Sequence, residues 1–185
     1  METRTAELAE ANRHLSEREV ELKQVAFHDA LTELPNRRYL IERVEMALSD
    51  ARRRGESIAL LLIDLDHFKP INDGHGHDAG DLLLRTLSQR LRDLVRSSDM
   101  AARLGGDEFA VLLTGPNVEQ DAAQIAERLL HELSQPVPYR DATLAVTISV
   151  GAAFFPRHAD RISQLYKAAD EALYRAKHQG RGNWV

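Results

Sequence analysis

The sequence predicts an α+β fold, a mixed α/β sandwich in which helices cover a central sheet. Three observations indicate this class. Residues 58–66, IALLLIDLD, form a continuous apolar run of strand length, as expected for a central strand buried on both faces. Residues 144–150 alternate between apolar and other side chains with a period of two, which is typical of a second strand. Apolar residues at helical spacing recur before, between and after these runs.

Four helices are predicted from that spacing, at about residues 35–53, 83–95, 118–133 and 162–173. Gly55 ends the first helix, and the second follows a turn-rich stretch at residues 71–81 and stops near Ser97. Pro136 ends the third helix, because proline lacks the amide hydrogen that a helix interior needs.

A β-hairpin is predicted between the second and third helices. Two short apolar runs, residues 100–104 and 109–113, flank a Gly-Gly pair, and such a turn requires positive φ. Asp107 and Glu108 lie at the tip of this hairpin.

The predicted strand and hairpin both end in acidic residues. Asp64 and Asp66 close the strand, so the sheet can bring them to the same edge as Asp107 and Glu108. Closely placed carboxylates repel each other, and a divalent cation removes the repulsion. An all-oxygen set without cysteine favours Mg²⁺ or Mn²⁺ over zinc. Any one of these residues taken alone is better explained as an ordinary solvated turn residue.

Composition narrows the classes of function. The 185 residues suffice for one domain and a small appendage. A formal net charge of -5, from 24 basic and 29 acidic residues, argues against binding a nucleic acid polymer. The absence of cysteine excludes disulfides and thiolate metal sites and is consistent with a cytoplasmic location. No apolar run approaches the ~20 residues that span a bilayer.

Residues 1–25 are predicted to form a polar helix that precedes the domain at residues 26–185. Leu8, Leu15 and Leu22 are spaced by seven, which favours a coiled-coil stalk that would dimerise the chain. A solvated helix that frays explains the same pattern equally well. If the helix is a stalk, the first methionine need not be the natural start, and an upstream sensor domain is expected.

Five separated stretches resemble the GGDEF family of diguanylate cyclases in order and spacing: DALTELPNRR, DLDHFKPINDGHGHDAGD, RLGGDEF, SVGAA and ADEALYRAKHQGR. The resemblance covers about residues 25–185 and implies a fold similar to the adenylyl cyclase catalytic core. It also implies an enzyme that condenses two GTP into cyclic di-GMP and two pyrophosphates. Each subunit of a homodimer would present one GTP.

The resemblance implies roles for the acidic residues. The family's positions corresponding to Asp64 and Asp107 ligate Mg²⁺, with help from the carbonyl of Leu65. Glu108 is the remaining essential carboxylate, and either metal binding or deprotonation of the attacking hydroxyl would suit it. This is the logic of two-metal phosphoryl transfer, in which cations stabilise charge on the attacking and departing oxygens.

The same resemblance nominates residues that would read guanine. Gly105 and Gly106 would let the backbone approach the nucleotide closely. Asn72 and Asp81 match the guanine-reading pair, and an aspartate can accept hydrogen bonds from guanine N1 and N2 together, which adenine does not offer. Without the resemblance, a helix N-cap or turn would explain Asn72 and Asp81.

Phosphate binding would fall to basic side chains and turn amides, because the sequence has no GxxxxGK[ST] motif. The resemblance nominates Lys177 and Arg181, with Lys69 and Arg103 as weaker candidates. Charges that complement a helix dipole would otherwise explain them.

A second motif suggests regulation. Arg96 and Asp99 form RxxD six residues before Gly105, where the family has an inhibitory product site. Bound cyclic di-GMP would then link two domains and hold their active sites apart. A surface ion pair worth ~0–1 kcal/mol is the alternative explanation. The competing functions are a non-catalytic cyclic di-GMP receptor and a GTP-binding regulatory module.

Two positions depart from the family pattern. His75 stands where an aromatic residue is usual, which affects packing near the guanine site. Gly182 interrupts the usual GRN run and is expected to shift the last strand.

Overall fold

The computed structural model describes residues 13, 14, 18 and 24–185. Within the predicted N-terminal helix, the described residues 13, 14, 18, 24 and 25 are helical. The three heptad-spaced leucines lie outside the described residues, so the coiled-coil stalk stays a prediction.

The elements of the described chain follow one another as α1 Arg37–Arg54, β1 Ser57–Asp66, α2 Phe68–His75, α3 His77–Leu94, β2 Met100–Gly105, β3 Glu108–Gly115, α4 Val118–Leu133, β4 Val137–Tyr139, β5 Ala142–Leu144, β6 Thr147–Phe155 and α5 Ile162–His178. The main sheet has the strand order β2-β3-β1-β6, and every neighbouring pair is antiparallel. β4 and β5 form a separate two-stranded hairpin.

Helices cover both faces of this sheet, which confirms the predicted sandwich. β1 lies between β3 and β6, and its side chains alternate between the two faces. Ala59, Leu61 and Ile63 join a core cluster with α3 and α4. Ile58, Leu60 and Leu62 join the second cluster, with α1 and α5. The alternation continues past the apolar run and places Asp64 and Asp66 on the α1/α5 side.

Gly151 sets the close approach of α5 to the sheet. A Cβ at this position of β6 would lie 2.1 Å from the backbone nitrogen of Leu173 and 2.3 Å from the carbonyl oxygen of Ala169. Only glycine therefore lets the backbone of α5 lie this close to β6. Close packing along this helix positions its last turn, which carries Lys177.

The turn-rich stretch predicted at residues 71–81 is wrong. The chain forms α2 and α3 there, with a single break at Gly76, where φ is 85°. α2 spans only eight residues, too short to show helical periodicity in the sequence. α3 also ends at Leu94 rather than near Ser97, because Val95 is extended.

The strand predicted at residues 144–150 is wrong in its bounds. Leu144 ends β5, whereas β6 begins at Thr147 and continues to Phe155. The alternating pattern runs across both strands and so cannot show the boundary between them. The small residues after Val150 concealed the second half of β6.

Candidate active site

A cleft of about 320 Å³ opens at the end of β1. Six residues that the family resemblance nominated line it, although they come from separate parts of the chain: Asp64, Leu65, Lys69, Asp107, Lys177 and Arg181. Asp66 lines it as well, so the fold gathers three carboxylates, a backbone carbonyl and three cationic side chains around one small space.

Asp64 and Glu108 lie directly opposite each other in the antiparallel register of β1 and β3. The side chain of Asp64 is 14% exposed, and that of Glu108 is 49% exposed. The backbone amide of Leu65 donates to the carbonyl oxygen of Asp107 at 3.2 Å, which fastens the hairpin tip to the end of β1. Like charges directly opposite each other destabilise a sheet unless cations compensate them.

Lys177 compensates Asp64. Its Nζ lies 2.7 Å from Oδ2 of Asp64, and its side chain is 32% exposed. Burial nevertheless raises the pKa of Asp64 above its ordinary value; Lys177 opposes this rise, and the charges of Asp107 and Asp66 add to it. The surroundings of Asp64 therefore disfavour its ionised form, and additional positive charge in the cleft would stabilise that form.

Arg37, the first residue of α1, contacts Glu108. Its Nη2 lies 3.3 Å from Oε2 of Glu108, and its Nη1 donates to the hydroxyl of Tyr166 at 3.0 Å. Neither Arg37 nor Tyr166 was among the site residues predicted from the sequence, although Arg37 lies within the PNRR stretch. Because both charged side chains are about half exposed, the ion pair is worth ~0–1 kcal/mol and can exchange for another partner.

The Gly-Gly turn has the predicted positive φ angles, 134° at Gly105 and 54° at Gly106. Arg103 braces it, donating from Nη2 to the carbonyl oxygen of Gly106 at 2.7 Å and from Nε at 3.2 Å. Its Nη1 lies 2.9 Å from the carboxyl group of Asp29. Arg103 is only 9% exposed, and this placement argues against its weaker assignment to phosphate binding.

Asn72 and Asp81 lie in helices that pack against each other. A Cβ at Gly80 would lie 2.0 Å from Oδ1 of Asn72, so the Asn72 side chain occupies the space beside the residue before Asp81. Both side chains are half-buried. Neither residue is an N-cap or lies in a turn, because α2 contains Asn72 and Asp81 lies inside α3.

The RxxD residues have other partners in this structure. Arg96 pairs with Asp121 at 3.2 Å, and Oδ1 of Asp99 accepts the backbone amide of Thr114 at 3.2 Å. Arg96 also lines a cavity of about 520 Å³ between the end of α1 and the start of α4. Arg43 and Arg54 of α1 line the same cavity, and so do the acidic residues Asp50, Glu56 and Asp121, so its lining carries both signs of charge.

The donor set at the cleft fits Mg²⁺ or Mn²⁺. In the described residues, no three acidic or histidine side chains converge into a ready-made metal site. Mg²⁺ does not require one, since it is usually held by one or two carboxylates, waters and the phosphates of its substrate. The half-buried Asp64 beside Asp107 and the hairpin provides carboxylates of this kind.

Residues 26–183 match the protein family described as Diguanylate cyclase, GGDEF domain, so the chain belongs to this family. It is 42% identical over 178 residues to diguanylate cyclase TpbB of Pseudomonas aeruginosa, an alignment that covers 96% of this chain and 41% of TpbB. The chain thus spans less than half the length of that relative.

Solved structures give the same family. A sensory box/GGDEF family protein of Caulobacter crescentus is 45% identical with a TM-score of 0.79, covering 83% of this chain and 99% of that one. The coiled coil and GGDEF domain of DgcB from Caulobacter crescentus, in complex with c-di-GMP, gives 29% identity and a TM-score of 0.89. That match covers 98% of this chain and 96% of DgcB's. The predicted GGDEF fold is therefore confirmed. Among the described residues, no helix is long and apolar enough to cross a membrane.

Proposed function

We propose that residues 26–185 form a diguanylate cyclase that condenses two GTP into cyclic di-GMP and two pyrophosphates. The observation that carries the proposal is the pairing of Asp64 with Glu108 at the end of β1, beside a cleft lined by basic side chains. Carboxylates suit divalent cations, and the basic side chains suit a triphosphate. The activity named for TpbB agrees with this assignment.

Asp64, Asp107 and the carbonyl of Leu65 would hold Mg²⁺ or Mn²⁺, which supplies Lewis acidity to the α-phosphate and neutralises charge on the departing pyrophosphate. In each half-reaction the 3′-oxygen of one GTP bonds to the α-phosphorus of the other, and the bond to the pyrophosphate breaks. A base accepts the proton of the 3′-hydroxyl, and Glu108 is the candidate for this base. The alternative role for Glu108 is that of a further metal ligand.

The basic residues around the cleft would bind the triphosphate once a metal ion neutralises the carboxylates. Lys177 contacts Asp64 at 2.7 Å in this structure and so occupies the place of a counter-ion. With a cation held at Asp64, Lys177 would be free to bind phosphate oxygens. Lys69 and Arg181 line the same cleft and would bind the rest of the triphosphate. Arg37 would release Glu108, since their exposed ion pair is weak.

Guanine recognition would involve Asn72 and Asp81 at the α2–α3 contact. A carboxylate at residue 81 can accept from guanine N1 and N2 together, and adenine has no matching pair of donors. The glycines at 105 and 106 leave open space above the hairpin turn, since a Cβ added at either one would meet no other atom within 4 Å. Nucleotide can therefore approach the backbone there.

Catalysis would require two subunits. The two reacting 3′-hydroxyls and α-phosphates must face each other, and a twofold homodimer presents one GTP from each subunit. Residues 1–25 would supply the dimerising stalk, and an upstream sensor would act through it. The coiled coil present with the GGDEF domain of DgcB supports this arrangement. As GTP is a cytoplasmic substrate, we assign the domain to the cytoplasm.

Product would inhibit the enzyme at the cavity beside Arg96 and Asp99. Arg96 can address the guanine O6/N7 edge and Asp99 the Watson–Crick edge. Arg43 and Arg54 line the cavity and would pair with phosphodiester oxygens, in competition with Asp50, Glu56 and Asp121 in the same lining. The DgcB domain was solved in complex with c-di-GMP, which supports a product-binding role in this family.

A non-catalytic receptor for cyclic di-GMP is the alternative. Cyclic di-GMP phosphodiesterase NbdA of Pseudomonas aeruginosa is 40% identical over 162 residues, and the chain covers 21% of that protein. A receptor, however, has no use for Asp64, Asp107 and Glu108 around one cleft, so their presence favours synthesis.

The test is incubation of the full chain with GTP and Mg²⁺, with product followed by chromatography. Glu108→Gln is the matched control, because its exposed position lets the fold survive. We expect cyclic di-GMP from the wild type, none from Glu108→Gln, and no cyclic dinucleotide of any kind when ATP replaces GTP. Absence of product from the wild type, even when a fused dimerisation domain holds two copies together, would overturn the proposal.

A further inference from the structure

Asp66 is a buried carboxylate for which the proposed reaction has no use. Its side chain is 0% exposed, two residues beyond Asp64 on the same side of the sheet. It accepts hydrogen bonds from the hydroxyls of Thr147 and Ser149, each at 2.8 Å. It also accepts from the backbone amide of Gly182 at 3.2 Å, and Nε of Arg181 lies 3.9 Å away.

Two of these contacts are with the sheet and two are with residues 179–185, the tail that follows α5. Oδ1 contacts Ser149 and Arg181, and Oδ2 contacts Thr147 and Gly182. The two hydroxyls belong to β6, which is already paired with β1 in register. The two remaining contacts join β1 to a segment that follows α5. A buried carboxylate needs such partners, because burial without hydrogen bonds is costly.

The tail has a conformation that requires such support. Residues 180, 181 and 182 all have positive φ, of 112°, 62° and 61°, and the middle one is an arginine rather than a glycine. An L-residue rarely adopts this region without surrounding structure to hold it. Further on, Val185 exchanges hydrogen bonds with Val150 and Ala152 and extends the sheet beside β6. Gly182, which departs from the family pattern, thus supplies an amide to Asp66.

The contacts of Asp66 with residues 181 and 182 hold Arg181 at the edge of the cleft. Its side chain is 48% exposed and lines the same cleft as Asp64 and Lys177. Its backbone is tied to α5, since its amide donates to the carbonyl oxygen of Ala176 at 3.2 Å. The direction of its side chain depends in addition on the curl of residues 180–182 around Asp66, whose Oδ1 lies 3.9 Å from Nε of Arg181.

We propose that Asp66 is a positioning residue, whose buried carboxylate holds the C-terminal tail so that Arg181 faces the cleft and meets the triphosphate of the bound nucleotide. The inference rests on the proposed function only in taking a nucleoside triphosphate as the ligand. It assigns Asp66 no contact with substrate.

Asp66→Asn tests the proposal, because asparagine keeps the shape but replaces one acceptor oxygen with an NH₂ that faces donors. We expect KM for GTP to rise about tenfold while kcat changes by less than about threefold, since Arg181 would bind ground state and transition state alike. Arg181→Ala should give a similar rise, and the double variant should be no worse than Arg181→Ala alone, because both changes remove one interaction.

Thr147→Val is the matched control. It removes one hydroxyl from Asp66 but leaves both contacts with the tail, so KM should stay within about twofold of wild type. Gly182→Ala provides a second route if Asp66→Asn does not fold. Its left-handed φ penalises alanine and loosens the tail outside the core, and its effect on KM should likewise vanish in the Arg181→Ala background.

Additive effects of Asp66→Asn and Arg181→Ala on KM would overturn the inference and leave Asp66 a general stabiliser of the fold. Failure of the proposed function looks different. In that case the wild type makes no cyclic di-GMP, and the same double-mutant cycle is run on binding of a non-hydrolysable GTP analogue by calorimetry. Non-additive binding there would support the positioning role, and unchanged binding in Asp66→Asn would refute it.

Discussion

Asp29 and Arg103, 74 positions apart, form an ion pair 2.9 Å long that joins the turn after the N-terminal helix to the Gly-Gly hairpin turn. The same oxygen of Asp29 accepts the amide and hydroxyl of Thr32, at 2.9 and 2.7 Å. Arg103 in turn holds the carbonyl oxygen of Gly106. The stretches DALTELPNRR and RLGGDEF thus share one partly buried network.

Arg103→Met should destabilise the protein by about 2–4 kcal/mol, because it leaves Asp29 and the Gly106 carbonyl without their partner in a partly buried setting. Urea unfolding measures this free energy. Lys167→Met is the control, since it removes only an exposed pair with Glu171 and should cost about 0.5 kcal/mol or less. Equal losses in the two variants would contradict the structural role of Arg103.

The stability conferred by Asp29 should depend on pH. Burial raises its pKa, but hydrogen bonds from Thr32 and Arg103 and the charge of Arg103 outweigh burial, so the pKa lies below its ordinary value of 3.8. The contribution is therefore complete above pH 3.8 and is lost as the pH falls through the lowered folded pKa. Wild type and Asp29→Asn should differ in unfolding free energy at pH 6, and the difference should shrink as the pH falls below 3.8 and through the lowered folded pKa. A constant difference would show that charge is not responsible.

Asp64→Asn should raise the thermal midpoint in the absence of divalent cations by a few degrees while abolishing activity. The raised pKa of Asp64 means that the folded protein disfavours the ionised form of this residue. Removing the charge therefore stabilises the folded state at neutral pH. Differential scanning fluorimetry without Mg²⁺ measures the midpoint, and chromatography of the products formed from GTP and Mg²⁺ measures the activity. Glu108→Gln serves as the control with little change in midpoint, and a lower midpoint in Asp64→Asn would contradict the expectation.

Asp99→Ala should weaken inhibition by cyclic di-GMP at least about tenfold without loss of catalysis, since it removes the acceptor for the guanine edge. Progress curves with added product measure it. Asp121→Ala is the informative comparison, because it frees Arg96 from its ion pair and should strengthen inhibition. Unchanged inhibition in Asp99→Ala would return Asp99 to its structural bond with Thr114.

Gly151→Ala should cost about 3 kcal/mol or more, because its Cβ would overlap the backbone of α5 at Leu173. The displaced helix should also move Lys177 away from Asp64 and lower activity. Gly74→Ala is the control: it lies in α2 with nothing within 4 Å, so it should be neutral or stabilising by about 0.5–1 kcal/mol. Chemical denaturation of the two variants compares them.

The elements that could be predicted from the sequence are those whose position is determined by a local pattern of residues. β1, the β2–β3 hairpin, α1, α4 and α5 were recognised because apolar spacing and the Gly-Gly pair report the face that each element buries. α2 was missed because it is too short to show helical periodicity. The β4–β5 hairpin was missed because the alternation of apolar with other residues continues from β5 into β6 without a break. The resemblance selected six of the residues lining the cleft. It did not reveal the partnerships of Arg37 with Glu108 or of Asp66 with the tail, because these join residues far apart in the chain.

The register of β1 against β3 has a consequence for the order of synthesis. Asp64 and Glu108 face each other as soon as β3 pairs with β1, and Arg37 is by then already available to Glu108. Lys177, the counter-charge of Asp64, follows Glu108 by 69 residues and is made only with α5. Because a domain generally folds as a unit, the acidic pair at the end of β1 has its full set of counter-charges only after α5 has left the ribosome.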